Sequence, residues 1–282
     1  MISDRETNKI FFSNRLKLDF PKTCAEIEHV LNSYGIQPDF LPETKDIWAR
    51  DYMPIQVDDK TFIEYRYDPD YLQGTMKNRR ELKTYPDIVC DAIKLPTKKT
   101  DIILDGGNVV KSKNAIILTD KVIVENKRTY NKHQLLDELH EVFQVDKVGL
   151  IPWDDKCEFG HSDGMLRFIN EDTVLISGFY ETADIEFKEY LLKSLKKAKL
   201  NWEWLRCSKR ETEKNIAYIN FLQIKDLILI PKLNAIEDDN ALMQISKYYP
   251  DYAESAMIAQ VDMTEIVKLS GALNCISWTL KE

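Results

Sequence analysis

Apolar positions along this chain alternate between two periods, one helical and one extended. Over residues 23–33, Ile27, Val30 and Leu31 fall on one helical face behind Pro21, a residue suited to a helix's first turn. Residues 131–143 repeat the pattern with Leu135, Leu136, Leu139 and Val142, and 185–198 with Phe187, Leu191, Leu192 and Leu195. Residues 237–249 do so with Ala241, Leu242 and Ile245 behind an acidic start, which the helix dipole favours. Between them lie short runs whose length and β-branched content predict strands. They cover 9–12, 39–41, 53–57, 62–65, 102–104, 115–118 and 147–151, then 165–169, 173–176, 202–205, 221–224, 227–230, 257–261 and 276–280. A further short helix is expected over 85–93.

The order helix, strand, polar turn, strand, strand recurs about five times, in units of about 50–60 residues, which points to an internal repeat. Alternating helices and strands imply an α/β layering with the helices outside. A closed ring of such units would be a propeller-like barrel whose hub collects the polar turns. The chain has 9 Gly and 10 Pro and no low-complexity tract, so one domain spanning residues 1–282 is expected.

Composition narrows the function classes. The 39 Lys and Arg against 47 Asp and Glu give a net charge of −8. This argues against nucleic acid, which wants clustered basic residues, and favours a cationic or neutral ligand. No run approaches the ~18 apolar residues needed to span a bilayer, and the first residues lead into no apolar leader segment. Five scattered cysteines without a Cys-x-x-Cys pair suggest neither a disulfide framework nor a zinc module. A reduced, cytoplasmic protein is therefore expected. The 4 His show no metal-ligand spacing, so no metal or organic cofactor is expected.

Four polar turns carry candidate chemistry. Trp48 to Pro54 puts Asp51 just before a strand. Asp105-Gly106-Gly107-Asn108 breaks another strand beside a carboxylate. His161 and Asp163 share the turn from Phe159 to Gly164, and Ser270 to Cys275 ends a run of small residues in a thiol. Singly, each has a plain structural reading: a surface ion pair, a glycine turn, a satisfied loop histidine, a buried small hydrophobe. Together, in this order and each at a unit's turn, they call for another.

From Trp48 to the C-terminus the chain resembles the agmatine deiminase and bacterial peptidyl-arginine deiminase group of the guanidine-modifying, or pentein, superfamily. The likeness rests on W-x-R-D-x-x-P (Trp48 to Pro54), acidic-G-G-N (Asp105 to Asn108) and G-H-x-D (Gly160 to Asp163). It continues through the stretch Ala217 to Phe221 and the loop delivering Cys275; 115–126 also looks like the family, with a turn at Thr119 to Val122. The resemblance implies a five-bladed ββαβ propeller.

It further implies cysteine-dependent hydrolysis of a guanidino group to a ureido group and ammonia. Cys275 would be the nucleophile and His161 the acid and base, oriented by Asp105. Asp51 and Asp163 would clamp the planar cation, with Trp48 and Asn220 also binding substrate. Paired carboxylates suit a guanidinium because each accepts charge-assisted N–H bonds, and a thiolate suits its electron-poor carbon. The thiol's pKa is expected to be lowered by the bound cation and by a protonated His161.

Some positions depart from the family pattern. Asp105 stands where many agmatine deiminases have Glu, Asn274 where many relatives have His, and Trp278 where Gln is common. The chain is also shorter than typical agmatine deiminases.

Agmatine, yielding N-carbamoylputrescine for putrescine biosynthesis, is the leading substrate. Peptidyl-arginine or another alkylguanidine is the alternative, followed by amidino transfer to an amine. A binding protein of the same fold, like the ribosome anti-association factor, is the non-enzyme alternative. Homo-oligomerisation is left open. Cys24, Cys90, Cys157 and Cys207 read as structural, His133 and His140 as solvated, and the lysines of 193–199 as a solvated face.

Overall fold

A computed structural model describes residues 1–73, 80–155, 157–182, 184–206 and 217–282. Five three-stranded sheets are each built from a ββαβ unit. The second unit holds β3 (Ile55–Gln56), β4 (Phe62–Arg66) and β5 (Lys98–Ile103). The third holds β6 (Val110–Lys111), β7 (Ala115–Thr119) and β8 (Lys147–Ile151); the fourth β9 (Leu166–Phe168), β10 (Thr173–Ser177) and β11 (Asn201–Leu205); the fifth β12 (Leu222–Ile224), β13 (Leu227–Lys232) and β14 (Ile258–Asp262). The first unit joins the two ends of the chain, pairing β15 (Ser277–Leu280) with β1 (Lys9–Ser13) and β1 with β2 (Asp39–Leu41).

In every unit the first strand runs antiparallel to the second, and the third pairs parallel to the second across a helix. A parallel return needs such a crossover. The crossover helices are α1 (Pro21–Ser33), α2 (Pro86–Ala92), α3 (Lys132–Phe143), α4 (Ile185–Lys197) and α5 (Asp238–Tyr248). Their ends are marked in the sequence: Pro21 and Pro86 occupy first turns. The side chain of Asn131 accepts from the backbone N–H groups of His133 and Gln134, and that of Asp184 from Glu186 and Phe187.

Burial runs from a sealed interior to a half-wet rim. The first strands β3, β6, β9, β12 and β15 are buried at every residue. Third strands are wetter: β2 is exposed at Asp39, and β5 at three of its six residues. Fully buried strands carry mainly apolar residues, yet each first strand, β15 with its Ser277 besides, also holds a buried polar side chain at one repeating position. These are Gln56, Lys111, Arg167, Gln223 and Thr279, spaced 55 or 56 residues apart. The expected repeat is therefore a register, with no shared residue type to announce it.

Part of this inner ring is closed by the N-terminal segment. Asp4 lies in a one-turn helix, Asp4–Glu6, and bonds Lys111 Nζ at 2.9 Å and Arg167 Nη2 at 2.7 Å. Those two cations hold its carboxyl well below the usual range against the pull of burial.

The structure also corrects several local expectations. The turn foreseen at Thr119 to Val122 is the end of β7 followed by a helix, Lys121–Asn126. Pro54 shortens the strand foreseen over 53–57 to Ile55–Gln56, since proline has no N–H for the ladder. His140 is half-buried rather than solvated, with Nδ1 2.8 Å from the Val145 carbonyl at the end of α3.

Candidate active site

Each unit's first strand is entered through a short turn, and the five turns converge. Asp51 sits in a one-turn helix, Ala49–Tyr52, ahead of β3. Asp105 precedes the turn Gly106–Asn108 before β6, and His161 and Asp163 flank and occupy Ser162–Gly164 before β9. Asn220 follows Ala217–Ile219 ahead of β12, and Cys275 lies in Leu273–Ile276 leading into β15. Four-residue helices have no periodicity to betray them, and tertiary contacts hold these. Tyr65 from β4 donates its hydroxyl to the carbonyls of Asp51 at 2.7 Å and Met53 at 2.9 Å.

Asp51, Asp105, Asp163, Asn220 and Cys275 are buried, and the His161 ring is 9% exposed. His161 Nε2 donates to Asp105 Oδ2 at 2.9 Å, and its Nδ1 lies 3.6 Å from Asp51 Oδ1. Asp51 Oδ1 also accepts from the Gly107 N–H at 3.0 Å. A Cβ on Gly107 would come within 2.5 Å of Asp51 Oδ1 and 2.7 Å of His161 Nδ1, so only glycine lets the backbone approach this closely. The second glycine demanded by the site is Gly160, at φ +66° and packed on the Trp153 indole.

Asp163 Oδ2 collects three donors: Asn274 Nδ2 at 2.7 Å, Asn220 Nδ2 at 3.1 Å and Cys275 Sγ at 3.5 Å. Asn220 Oδ1 accepts from the N–H groups of Ala272 and Cys275, both at 3.2 Å. Both ends of the Asn220 amide are thus committed to the protein. It fixes the thiol's turn and the carboxylate, rather than presenting free hydrogen-bonding groups to a ligand.

The electrostatics follow from burial and crowding. Burial, together with the charges of Asp105 and Asp163, pushes Asp51 up to about 7. Burial alone would lower His161, but Asp51, Asp105 and Asp163 outweigh it and raise the imidazole to about 10. At neutral pH the ring is an imidazolium with a proton on both nitrogens. Burial, then Asp163 and Asp51, pushes the Cys275 thiol well above its ordinary value. In the free protein the thiol is raised; the lowering expected from a bound cation concerns the occupied site. The lowering has to come from a ligand.

Two cavities meet at His161 and Cys275. The larger, about 620 Å³, is also lined by Asp163, Asn220 and Cys157; the smaller, about 450 Å³, by Asp51, Trp48, Tyr67 and Tyr71. Tyr71 and Phe159 pack edge-on at 5.0 Å between ring centroids, and both lean on the His161 ring. Trp48 covers Gly271, four residues before the thiol.

The sequence motifs therefore converge as expected, with additions that they did not reveal. Arg50 donates Nε to the Asn274 carbonyl at 3.3 Å, although beside Asp51 in sequence it reads as an ordinary ion-pair residue. Lys121 donates to the Phe159 carbonyl and to Asp70, both at 2.9 Å, pinning the chain ahead of His161. Cys24 and Cys90 are buried with thiols pushed up to about 12 by burial, as fits structural residues; Cys207 lies outside the described residues. Among the described residues, no His, Cys, Asp and Glu side chains are grouped to hold a metal ion. Nor is any helix long and apolar enough to cross a membrane.

Comparison with known proteins places this geometry. The family model for Porphyromonas-type peptidyl-arginine deiminase matches residues 9–280. No curated protein matches the sequence. Among solved structures, the chain is similar to Campylobacter jejuni agmatine deiminase, with 17% identity and a TM-score of 0.77 over 100% of this chain and 95% of that one. Enterococcus faecalis agmatine deiminase gives 16% identity and a TM-score of 0.77, again over 100% and 95%. Pseudomonas aeruginosa dimethylarginine dimethylaminohydrolase, solved with citrulline, gives 10% identity and a TM-score of 0.57 over 97% and 99%. The five ββαβ units are the five-bladed propeller of that superfamily.

Proposed function

The chain belongs to the Porphyromonas-type peptidyl-arginine deiminase family, a family of hydrolases acting on C–N bonds of guanidines, and on that premise we propose that it deiminates agmatine through Cys275. The observation that carries the reading is the thiol's position against Asp163, across a cavity from Asp51 and a protonated His161. A guanidinium seated between the two carboxylates forms charge-assisted N–H bonds to both. Its charge also favours the thiolate, which the empty site opposes.

As the cation binds, the Cys275 thiol gives its proton up to solvent; Sγ then bonds to the guanidinium carbon, and His161 Nδ1 gives its proton to the departing nitrogen, which leaves as ammonia. The S-alkylthiouronium left on the cysteine is attacked by water, whose proton returns to His161. As the C–S bond breaks, the remaining hydroxyl proton passes to the released ammonia as ammonium, and the ureido product and the thiolate are set free. Asp105 holds the ring by Nε2 throughout, so that Nδ1 faces the substrate.

The cavity walls favour agmatine over free arginine. Asp46, Asp51, Asp154, Glu158 and Asp163 line them, against Lys268 and the imidazolium. A dication is attracted there, whereas a substrate carboxylate meets like charge. Its product, N-carbamoylputrescine, would lie on a route to putrescine, and the cysteine usage fits a cytoplasmic site. Residues 1–282 would act as one deiminase domain, because β15 closes the ring on β1. A peptidyl-arginine is the second reading, favoured by a second chamber that leaves the thiol by another route.

Assays of ureido product and ammonia from agmatine, arginine and arginyl peptides test this, with Cys275→Ala as control. Agmatine should be turned over and Cys275→Ala should lose about 10⁴-fold or more. Absence of turnover on every guanidine, with a variant indistinguishable from wild type, would overturn the reading.

A further inference from the structure

The residue just before the thiol is tied at every hydrogen-bonding group but one. Asn274 donates its backbone N–H to the Asn220 carbonyl at 3.0 Å. Its own carbonyl accepts from Arg50 Nε at 3.3 Å and from Ser277 Oγ at 3.2 Å. Its side-chain Nδ2 donates to Asp163 Oδ2 at 2.7 Å, the shortest bond that carboxylate makes. Only Oδ1 is left, buried and without a partner.

These ties link the two carboxylates of the proposed clamp. Asp163 is reached through the side chain, and Asp51 through Arg50, its neighbour on the same helical turn. Cys275 follows directly in the chain. A buried unpaired acceptor costs roughly 1–3 kcal/mol, which offsets most of what the Nδ2–Asp163 bond contributes to stability. Nor can an amide titrate, so the Asp163 carboxylate keeps this donor at every working pH.

Building on the deiminase reading, we propose that Asn274 is a positioning residue, holding Asp163 and the Cys275 turn at one fixed separation across the guanidinium site. It does not touch substrate; it acts through Asp163 and the thiol. Its loss should therefore fall on kcat more than on KM, because the aligned attack geometry is lost while both clamping charges remain.

Three variants test this with agmatine as substrate. Asn274→Ala removes the donor and the orphan acceptor together: kcat should fall about 10- to 100-fold, KM should change by less than about threefold, and Tm should stay close to wild type. Asn274→His keeps a ring N–H donor and should recover much of the lost kcat. Asn274→Asp puts a second carboxyl against Asp163, and adjacent carboxyls share a proton. Its activity relative to wild type should rise as pH falls, when the new carboxyl becomes a donor.

A kcat for Asn274→Ala within twofold of wild type would overturn the proposal. So would a loss matched by a collapse in Tm, or an Asn274→Asp profile with the wild-type shape. Alkylation of Cys275 by iodoacetamide separates this proposal from the deiminase reading, because it needs no substrate. The added charge of Asn274→Asp should slow alkylation at neutral pH at least several-fold, whichever guanidine the protein uses. An unchanged alkylation rate would place residue 274 out of contact with the Asp163–thiol pair and overturn the positioning role.

Discussion

Buried carboxylates occur at two levels of the same hub, and the protein treats them in opposite ways. Asp4 meets Lys111 and Arg167 directly, and its carboxyl is held far below the usual range. At the turns just ahead of the first strands, Asp51 shares a pocket with Asp105, Asp163 and a single imidazolium, and burial drives it up to about 7. One level is balanced by the chain itself. The other is short of positive charge, and on the proposed reading that shortage at a cavity is what a cationic substrate fills. The thiol obeys the same logic, since burial, and then the acids that would welcome a cation, hold Cys275 neutral.

Replacing the clamp should break this contrast most visibly. Asp51→Asn and Asp163→Asn should each weaken guanidine binding by about 2–5 kcal/mol, the usual cost of removing one partner of a buried charge pair. Inhibition by a simple alkylguanidine would measure it, and unchanged affinity in both variants would dismiss the clamp. Stability should move little in Asp51→Asn, because no permanent cation other than His161 loses its partner. The amide can still accept from Gly107.

Asp105→Asn comes next. Wild-type kcat/KM should rise with pH as Asp51 ionises near 7 and as the bound cation displaces the Cys275 proton, and fall above about pH 10 as the His161 imidazolium loses its proton. Removing the charge beside Nε2 should bring the alkaline limb down by a unit or more and lower the acid limb by less, because Asp105 also raises Asp51. A pH–rate profile over that range decides it.

The smallest effect on activity belongs to Asp4→Ala. It strands Lys111 and Arg167 without their buried partner, which should cost about 3–5 kcal/mol of stability, read as a lower denaturant midpoint. For the fraction that remains folded, kcat/KM should stay within about twofold of wild type. A selective loss of catalysis would mean that the two levels of the hub are not independent.

Much of the architecture was legible because its strands are unambiguous. Thr173-Val174-Leu175-Ile176-Ser177 is bounded, β-branched and short, and it forms β10 as expected. Strand β5 starts at Lys98, before the apolar run that betrays it, because its first residues lie on a solvent-facing edge. The one-turn helices at Asp51 and Cys275 were unreadable for a different reason. Four residues show no period; Tyr65 holds the first from the second strand of the same unit, and Asn220 holds the other from another unit. The motif residues themselves could be found because each turn keeps its chemistry contiguous. Arg50 and Asn274 could not be assigned roles, since their bond joins positions 224 residues apart.

The central claim is that the substrate's cation supplies the charge this site lacks and so creates the nucleophile. The direct test is the thiolate ultraviolet absorbance of Cys275, taken as wild type minus Cys275→Ala, across pH with and without saturating guanidinium ion. The expected result is no thiolate at neutral pH in the free protein and a clear thiolate signal once the cation is bound. A thiolate already present without ligand, or a titration that guanidinium leaves unmoved, would contradict it.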